Sequence, residues 1–298
     1  MDQSIVVGLD GSAESVSAAH WAAREALLRN QSLLLVHAEE WLSHAGPAAA
    51  GAQARRQWAE ALLLDAANVL REAHPQLHFS TRSINGPPAA SLAEVAPTAE
   101  MLVLGSRGLG TLSGYILGSV GLAAIRATER PVVLVRQAEK AKLAPQGHQA
   151  SLPVVVGIDR PHDALLSFAF DEAAQRGCLL RIIHSWAPPP LFGSGTAYDP
   201  EVAEQVTSRV AAKLGDVLVP WRDRYPAVPV EVRAAIGRPA DQILQAGTDA
   251  GLVVVGRHIR TASIGTYIGP VTHAVLHHAT PPVAVIAHHA GPGQRLSE

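Results

Sequence analysis

The sequence contains the same pattern twice, and this internal repeat constrains the fold more than any other feature. The segment Ile5–Asp10, three apolar residues followed by Gly-x-Asp, returns 149 residues later as Val154–Asp159. The segment Val103-Leu104-Gly105 returns as Val254-Val255-Gly256. Each copy has the size of a domain, so the repeat predicts two tandem domains rather than a solenoid of short units. We place them at residues 1–137 and 152–298, with a polar linker at 138–151.

Short apolar runs rich in Val and Leu alternate with helical patterns in both copies, which predicts strands buried on both faces of a parallel sheet. We expect strands near 4–9, 32–38, 78–84, 101–105 and 131–136, and near 153–158, 179–184, 229–235, 252–256 and 283–287. In the first copy we expect helices at 12–29, 52–73, 89–98 and 119–128. Ser12 is the predicted cap of the first helix, whose apolar stripe is Val16, Ala19, Ala23, Ala26 and Leu27. The predicted fold class is α/β, with two doubly wound, parallel, five-stranded sheets.

A glycine-rich segment follows the fourth predicted strand of the first copy. It places Gly105, Gly108 and Gly118-Ser119 between a buried strand and a helix. Glycines let backbone N–H groups approach an anion, and the following helix presents the positive end of its dipole. Any one of these glycines alone is better explained by a tight turn or close helix packing. Taken together at this spacing, they predict a phosphate-binding loop.

This pattern resembles the nucleotide-binding motif in the ATP-binding branch of the universal stress protein family, and the resemblance covers both copies. It implies a Rossmann-like fold of the adenine nucleotide alpha hydrolase-like type. It also implies that the first-strand aspartate lies by adenine and ribose, that the residue after the second-strand histidine contacts adenine, and that the glycine loop surrounds the phosphates. The implied ATP-binding residues are Gly8, Leu9, Asp10, Ala38, Leu104, Gly105, Arg107, Gly108, Gly118, Ser119 and Val120. Two roles of Asp10 stay open: it holds Mg²⁺ that is bound to the phosphates, or it only caps the turn.

The second copy departs from the motif at the positions expected to contact phosphate. Ile259 stands where the second glycine is expected, and Pro270 stands where the serine is expected. Isoleucine resists positive φ, and proline offers neither an N–H nor a hydroxyl. We therefore expect the second site to be weak, altered or vacant.

Composition excludes several classes of function. The net charge of −2, without a basic block, makes nucleic acid an unexpected partner. No signal peptide or membrane span is apparent, which predicts a cytoplasmic protein. The single cysteine, Cys178, is expected to be a small buried residue. Among fourteen histidines, His273 and His277 have helical spacing, and His288-His289 are expected just after the last strand; we assign no metal ligands.

The sequence thus predicts an ATP-binding regulatory protein in which the nucleotide acts as a switch of conformation or assembly. A conventional kinase or P-loop enzyme is not expected, because none of the three lysines lies in a glycine loop. The alternatives are a slow ATP hydrolase and a nucleotide-free dimerisation or scaffold module. By the same resemblance, the two domains are expected to pair within the chain through their last strands, and a homodimer of whole chains is plausible.

Overall fold

The structure is a computed structural model that describes residues 4–39, 48–106, 118–137, 152–186, 200–259 and 268–289. Contacts between residues divide the chain into unit 1, Met1–Leu143, and unit 2, Ala144–Glu298. The predicted linker 138–151 lies outside the described residues, as do Arg107 and Gly108 of the glycine loop. None of the helices in the described ranges combines the length and apolar character that a membrane span requires.

Unit 1 alternates strands with helices along the chain. Its strands are β1 (Ser4–Gly8), β2 (Leu33–Glu39), β3 (Phe79–Asn85), β4 (Ala99–Ser106) and β5 (Val132–Arg136). Its helices are α1 (Ala13–Leu28), α2 (Ala48–Ala73), α3 (Pro88–Val95) and α4 (Ser119–Ala127), with a 3-10 turn at Ala96–Thr98. The sheet order is β3-β2-β1-β4-β5, and every neighbouring pair is parallel.

Unit 2 repeats this arrangement. Its strands are β6 (Val154–Gly157), β7 (Leu180–Trp186), β8 (Val230–Ile236), β9 (Leu252–Ile259) and β10 (Val283–His289). Its helices are α5 (Asp163–Arg176), α6 (Pro200–Val217), α7 (Val219–Arg224), α8 (Pro239–Ala246) and α9 (Pro270–His278). The sheet order is β10-β9-β6-β7-β8, again parallel throughout. His288 and His289 were predicted to follow the last strand, but they lie within it.

The central strands explain why each sheet is parallel and covered on both sides. Val6 in β1 and Val155 in β6 are fully buried, as are both neighbours of each along its strand. A strand whose successive residues are all buried must have helices on both faces, because neighbouring side chains point to opposite sides. The predicted doubly wound class is confirmed, and in unit 1 the strand order reverses between β1 and β4.

Helix α1 packs through a different stripe than predicted. Ala19, Ala23 and Ala26 are buried as expected, but Val16 and Leu27 are 42% and 39% exposed, so these two assignments were wrong. The buried face also contains Ser15, Ala18, Trp21, Ala22 and Glu25. The alanines on this face let α1 approach the sheet closely, so which residues are buried depends on the distance between helix and sheet as well as on hydrophobicity.

Candidate functional site

The reversal of strand order in unit 1 leaves a crevice beyond the carboxyl ends of β1 and β4. Gly8 of β1 is aligned with Leu104 of β4 in the parallel register, so the two chains leave the sheet side by side. Helix α1 begins five residues after Gly8, and α4 begins at Ser119. Both helices therefore direct their N-terminal N–H groups toward this edge, where α/β proteins bind anionic ligands.

Asp10 forms a tight turn at this edge. Its Oδ1 accepts hydrogen bonds from the Ser12 backbone N–H (2.9 Å) and from the Ser12 hydroxyl (2.5 Å). Ser12 in turn caps α1, because its Oγ accepts from the N–H of Ser15 at 3.2 Å, as predicted. Asp10 is exposed. Asp10 therefore forms the turn that leads into α1.

Packing explains why residue 105 is a glycine, but it does not explain the glycine at position 118. A Cβ on Gly105 would lie 2.6 Å from the carbonyl carbon of Glu14 and from the nitrogen of Ser15, so Gly105 is required for the close approach of α1. Gly118 is the N-cap of α4, with φ −53°, and a Cβ there would meet no described atom within 4 Å. Neither backbone strain nor packing among the described residues requires glycine at position 118.

Two polar residues near the crevice were missed by the sequence analysis. Ser106, the last residue of β4, is buried, and among the described residues no group hydrogen-bonds its Oγ. Arg136, the last residue of β5, is aligned with Ser106 in the register of the sheet. Burial lowers the pKa of its guanidinium, which starts so high that the group remains a cation at neutral pH. Their common signal is their position at the carboxyl ends of neighbouring strands.

The opposite side of the crevice, at the end of β2, is apolar and aromatic. His37 is buried, and its Nδ1 lies 2.7 Å from the carbonyl oxygen of Leu9. Ala38, the residue predicted to contact adenine, is partly exposed. The ring of Trp58 from α2 lies edge-on to the His37 ring, with centroids 5.3 Å apart, yet Trp58 is 52% exposed. The sequence analysis did not select Trp58, because it comes from a helix distant along the chain.

The remaining predicted residues lie at the same edge. Leu9 and Leu104 are buried, Gly8 and Val120 are partly exposed, and Ser119 is exposed at the first position of α4. Ser119 is not the N-cap of that helix, since Gly118 holds this position. The structure therefore brings together the described members of the predicted set, and the crevice offers helix N-termini, a hydroxyl and a carboxylate.

Unit 2 keeps the framework of this crevice but changes its contents. The Nδ1 of His184 lies 2.9 Å from the carbonyl oxygen of Ile158, which repeats the contact between His37 and Leu9. Arg257 and His258 occupy the positions of Ser106 and Arg107. Helix α9 has Gly269 as its N-cap and Pro270 as its first residue, so one N–H that α4 offers is missing.

Three histidines meet at this edge of unit 2. His162 is the N-cap of α5, His258 lies in β9 and His288 lies in β10. The rings of His162 and His288 stack with centroids 3.8 Å apart, and those of His258 and His288 are 4.3 Å apart and edge-on. Burial, followed by the charges of the other two histidines, lowers the pKa of His288 to about 4. Burial likewise lowers the pKa of His162.

Sequence reasoning did not connect these histidines, although a usable signal exists. Each follows or ends one of three neighbouring strands, in the order β10-β9-β6, and the carboxyl ends of parallel strands lie at one edge. The helical pair that it did select, His273 and His277, lies in α9 with Nε2 atoms 3.2 Å apart.

Known proteins share this sequence pattern and this architecture. Residues 1–136 and 152–287 each match the sequence model of the Universal stress protein family. A universal stress protein of Mycobacterium tuberculosis strain H37Rv is 33% identical over 297 residues, covering 94% of this chain and 96% of the relative. One from Mycolicibacterium smegmatis is 33% identical and covers 96% and 97%. The crystal structure of a universal stress protein from Archaeoglobus fulgidus is similar in fold, with a TM-score of 0.70 at 16% identity and coverage of 95% and 98%.

Proposed function

This chain belongs to the universal stress protein family, and on that premise we propose that it binds one ATP molecule, in unit 1, as a regulatory ligand. Occupancy of the crevice between β1 and β4 would change the conformation or the assembly of the protein. Unit 2 keeps the fold without the same binding chemistry.

The observation that carries this proposal is the pair Gly118-Ser119 at the start of α4. The φ of Gly118 is negative and a Cβ there would meet no described atom, so the described structure supplies no reason of its own for a glycine. Gly269 of unit 2 has the same properties, but Pro270 follows it and offers no N–H. The open space lies at the N-terminus of α4, where unpaired N–H groups and the helix dipole favour an anion. A phosphate that approaches the backbone at this point explains why a side chain is absent.

Other groups around the crevice support the same ligand. The Ser106 hydroxyl is buried without a hydrogen-bond partner among the described residues, a costly arrangement that a ligand oxygen would relieve. Arg136 ends the strand next to β4, and a guanidinium is a preferred partner of phosphate. At the end of β2, Trp58 is half exposed beside His37 and offers an aromatic surface to a planar base. If Mg²⁺ accompanies the phosphates, Asp10 is the carboxylate that would hold it.

Chemical turnover is not the function that the residues favour. Lys213 lies in α6 of unit 2, and the other two lysines, Lys140 and Lys142, lie in the predicted linker, so the glycine loop has no lysine to neutralise transferring phosphate. Slow hydrolysis of bound ATP remains the second candidate.

A matched pair of glycine variants tests the proposal. Gly118 and Gly269 are both N-caps with negative φ, and a Cβ at either position would meet no described atom within 4 Å, so valine should affect folding equally at the two sites. We expect isothermal titration calorimetry to find one ATP per chain. Gly118→Val should weaken ATP binding at least tenfold, and Gly269→Val should leave it unchanged. Two equivalent ATP sites, or equal effects of both substitutions, would contradict the proposal.

A further inference from the structure

We propose that His162, His258 and His288 form a binding site for one divalent transition-metal ion in unit 2, with zinc as the expected ion. Imidazole is a preferred ligand of zinc, nickel and copper, and three histidines are a ligand set that zinc proteins use. This site is separate from the ATP crevice of unit 1 and does not depend on the proposed function.

The geometry brings three ligand atoms into range of a single ion. One ring nitrogen from each histidine lies within 4.8 Å of the other two. In a tetrahedral site with Zn–N bonds of about 2.0–2.1 Å, ligand nitrogens are about 3.4 Å apart. Nitrogens up to 4.8 Å apart exceed this spacing, so the side chains would rotate closer together around a bound ion.

The backbone around His288 is shaped to hold its ring. A Cβ on Gly256 would lie 2.6 Å from the His288 Nε2, so the glycine makes room for the imidazole. The carbonyl oxygen of Gly256 is held by the hydroxyl of Thr272 in α9 at 2.8 Å. The Nδ1 of His288 faces the carbonyl oxygen of His289 at 3.4 Å, and such a contact to a carbonyl fixes the ring orientation of metal-binding histidines.

His162 and His258 remain available for an ion. His162 is the N-cap of α5, but its side chain makes no capping hydrogen bond. His258 is exposed and His162 is partly exposed, so the cluster opens to solvent on one side, where water can supply a fourth ligand.

Charged side chains of both signs lie near the three histidines. The charges of Asp159 and Asp163 favour a cation near His162, while those of Arg160 and Arg257 oppose one. The site therefore depends on the imidazoles themselves. The fold does not require them, because Ser12, Arg107 and Gln137 occupy the equivalent positions of unit 1.

Zinc titration of the full chain, produced without a polyhistidine tag and freed of metal by chelation, tests this site. We expect calorimetry without nucleotide to detect one high-affinity zinc ion. His258→Ala, at an exposed position, should weaken it by about 100-fold or more, since even outer partners of metal ligands cost 10- to 100-fold. His162→Ala should do the same. Cobalt bound to the parent protein should show the visible absorption of a tetrahedral site. Neither variant should show this absorption.

The control is the double variant His273→Ala/His277→Ala, which removes the other close histidine pair of unit 2. It should leave zinc affinity and the cobalt spectrum unchanged, and circular dichroism should match the parent for every variant. If the parent binds no zinc, or if the control variant loses zinc while His258→Ala and His162→Ala retain it, the proposed site is wrong.

Discussion

Single residues make the two crevices chemically different on the same backbone framework. Ser106 of unit 1 is replaced by Arg257, and the exposed Ser119 is replaced by Pro270. The first exchange removes a buried hydroxyl, and the second removes an N–H from the first turn of a helix. Because both changes fall where an anion would bind, the difference between the units concerns ligands more than folding.

At this scale, Asp10 provides a direct prediction. Asp10→Ala removes a carboxylate at the edge of the crevice, and the loss of a charge-assisted hydrogen bond costs about 1.5–3 kcal/mol. ATP affinity measured by calorimetry should therefore fall by roughly 10- to 150-fold.

Asp159→Ala is the matched control, since Asp159 follows β6 as Asp10 follows β1 and is likewise exposed. It should leave ATP affinity unchanged. Unchanged affinity in the Asp10 variant would remove Asp10 from the site, and equal losses in both variants would place ATP in unit 2 as well.

Among the elements, α1 and α5 show how closely the repeat is preserved. Glu25 and Arg29 form a buried pair one turn apart in α1, with a nitrogen-to-oxygen distance of 3.6 Å. Glu172 and Arg176 form the same pair in α5. Each helix is followed by a left-handed residue, Asn30 or Gly177, which ends it in the same way. Both units therefore anchor their first helix by a charge pair as well as by apolar packing.

Breaking the pair in α5 should destabilise unit 2 strongly. Glu172 is 0% exposed, so Arg176→Met deprives a buried carboxylate of this cationic partner. Such a loss costs about 3–5 kcal/mol. The free energy of unfolding in urea should fall by this amount. Tryptophan fluorescence can monitor the transition, because Trp221 stacks on Phe170 of α5.

The double variant Glu172→Leu/Arg176→Met should recover most of that stability, because apolar pairs often replace buried charge pairs without loss. A single variant as stable as the parent would mean that Glu172 gains solvent or another partner when Arg176 is absent.

For the whole molecule, we predict that the two units pair through their last strands. Within its own unit, β5 ends one sheet and β10 ends the other, and the first four residues of each are apolar and buried. An uncovered apolar edge invites aggregation, and pairing of the two edges would remove that hazard.

Small-angle X-ray scattering of the full chain should then fit one compact particle, and cross-links between the units should form at high yield. Scattering that requires two bodies moving independently on residues 138–151 would contradict this arrangement. The mass from the same measurement decides whether whole chains also form a homodimer.

Sequence patterns predicted the strands and helices well because each depends on residues close together in the chain. The run Ile5-Val6-Val7 indicates a buried strand by itself, and Ser12 predicts the start of α1 through a hydrogen bond three residues away. The same reasoning failed for Val16 and Leu27, because how deeply a helix face is buried depends on the sheet beneath it.

The sequence by itself determined the tandem repeat and the α/β class, and it predicted a ligand at the carboxyl edge of the sheet and a weaker site in unit 2. Only the tertiary structure decided which residues distant in the chain meet at that edge. It placed Ser106 beside Arg136, Trp58 against His37, and His162, His258 and His288 in one cluster. Local patterns depend on spacing along the chain, whereas such clusters depend on strand order, which aligns residues from separate strands at one edge of the sheet.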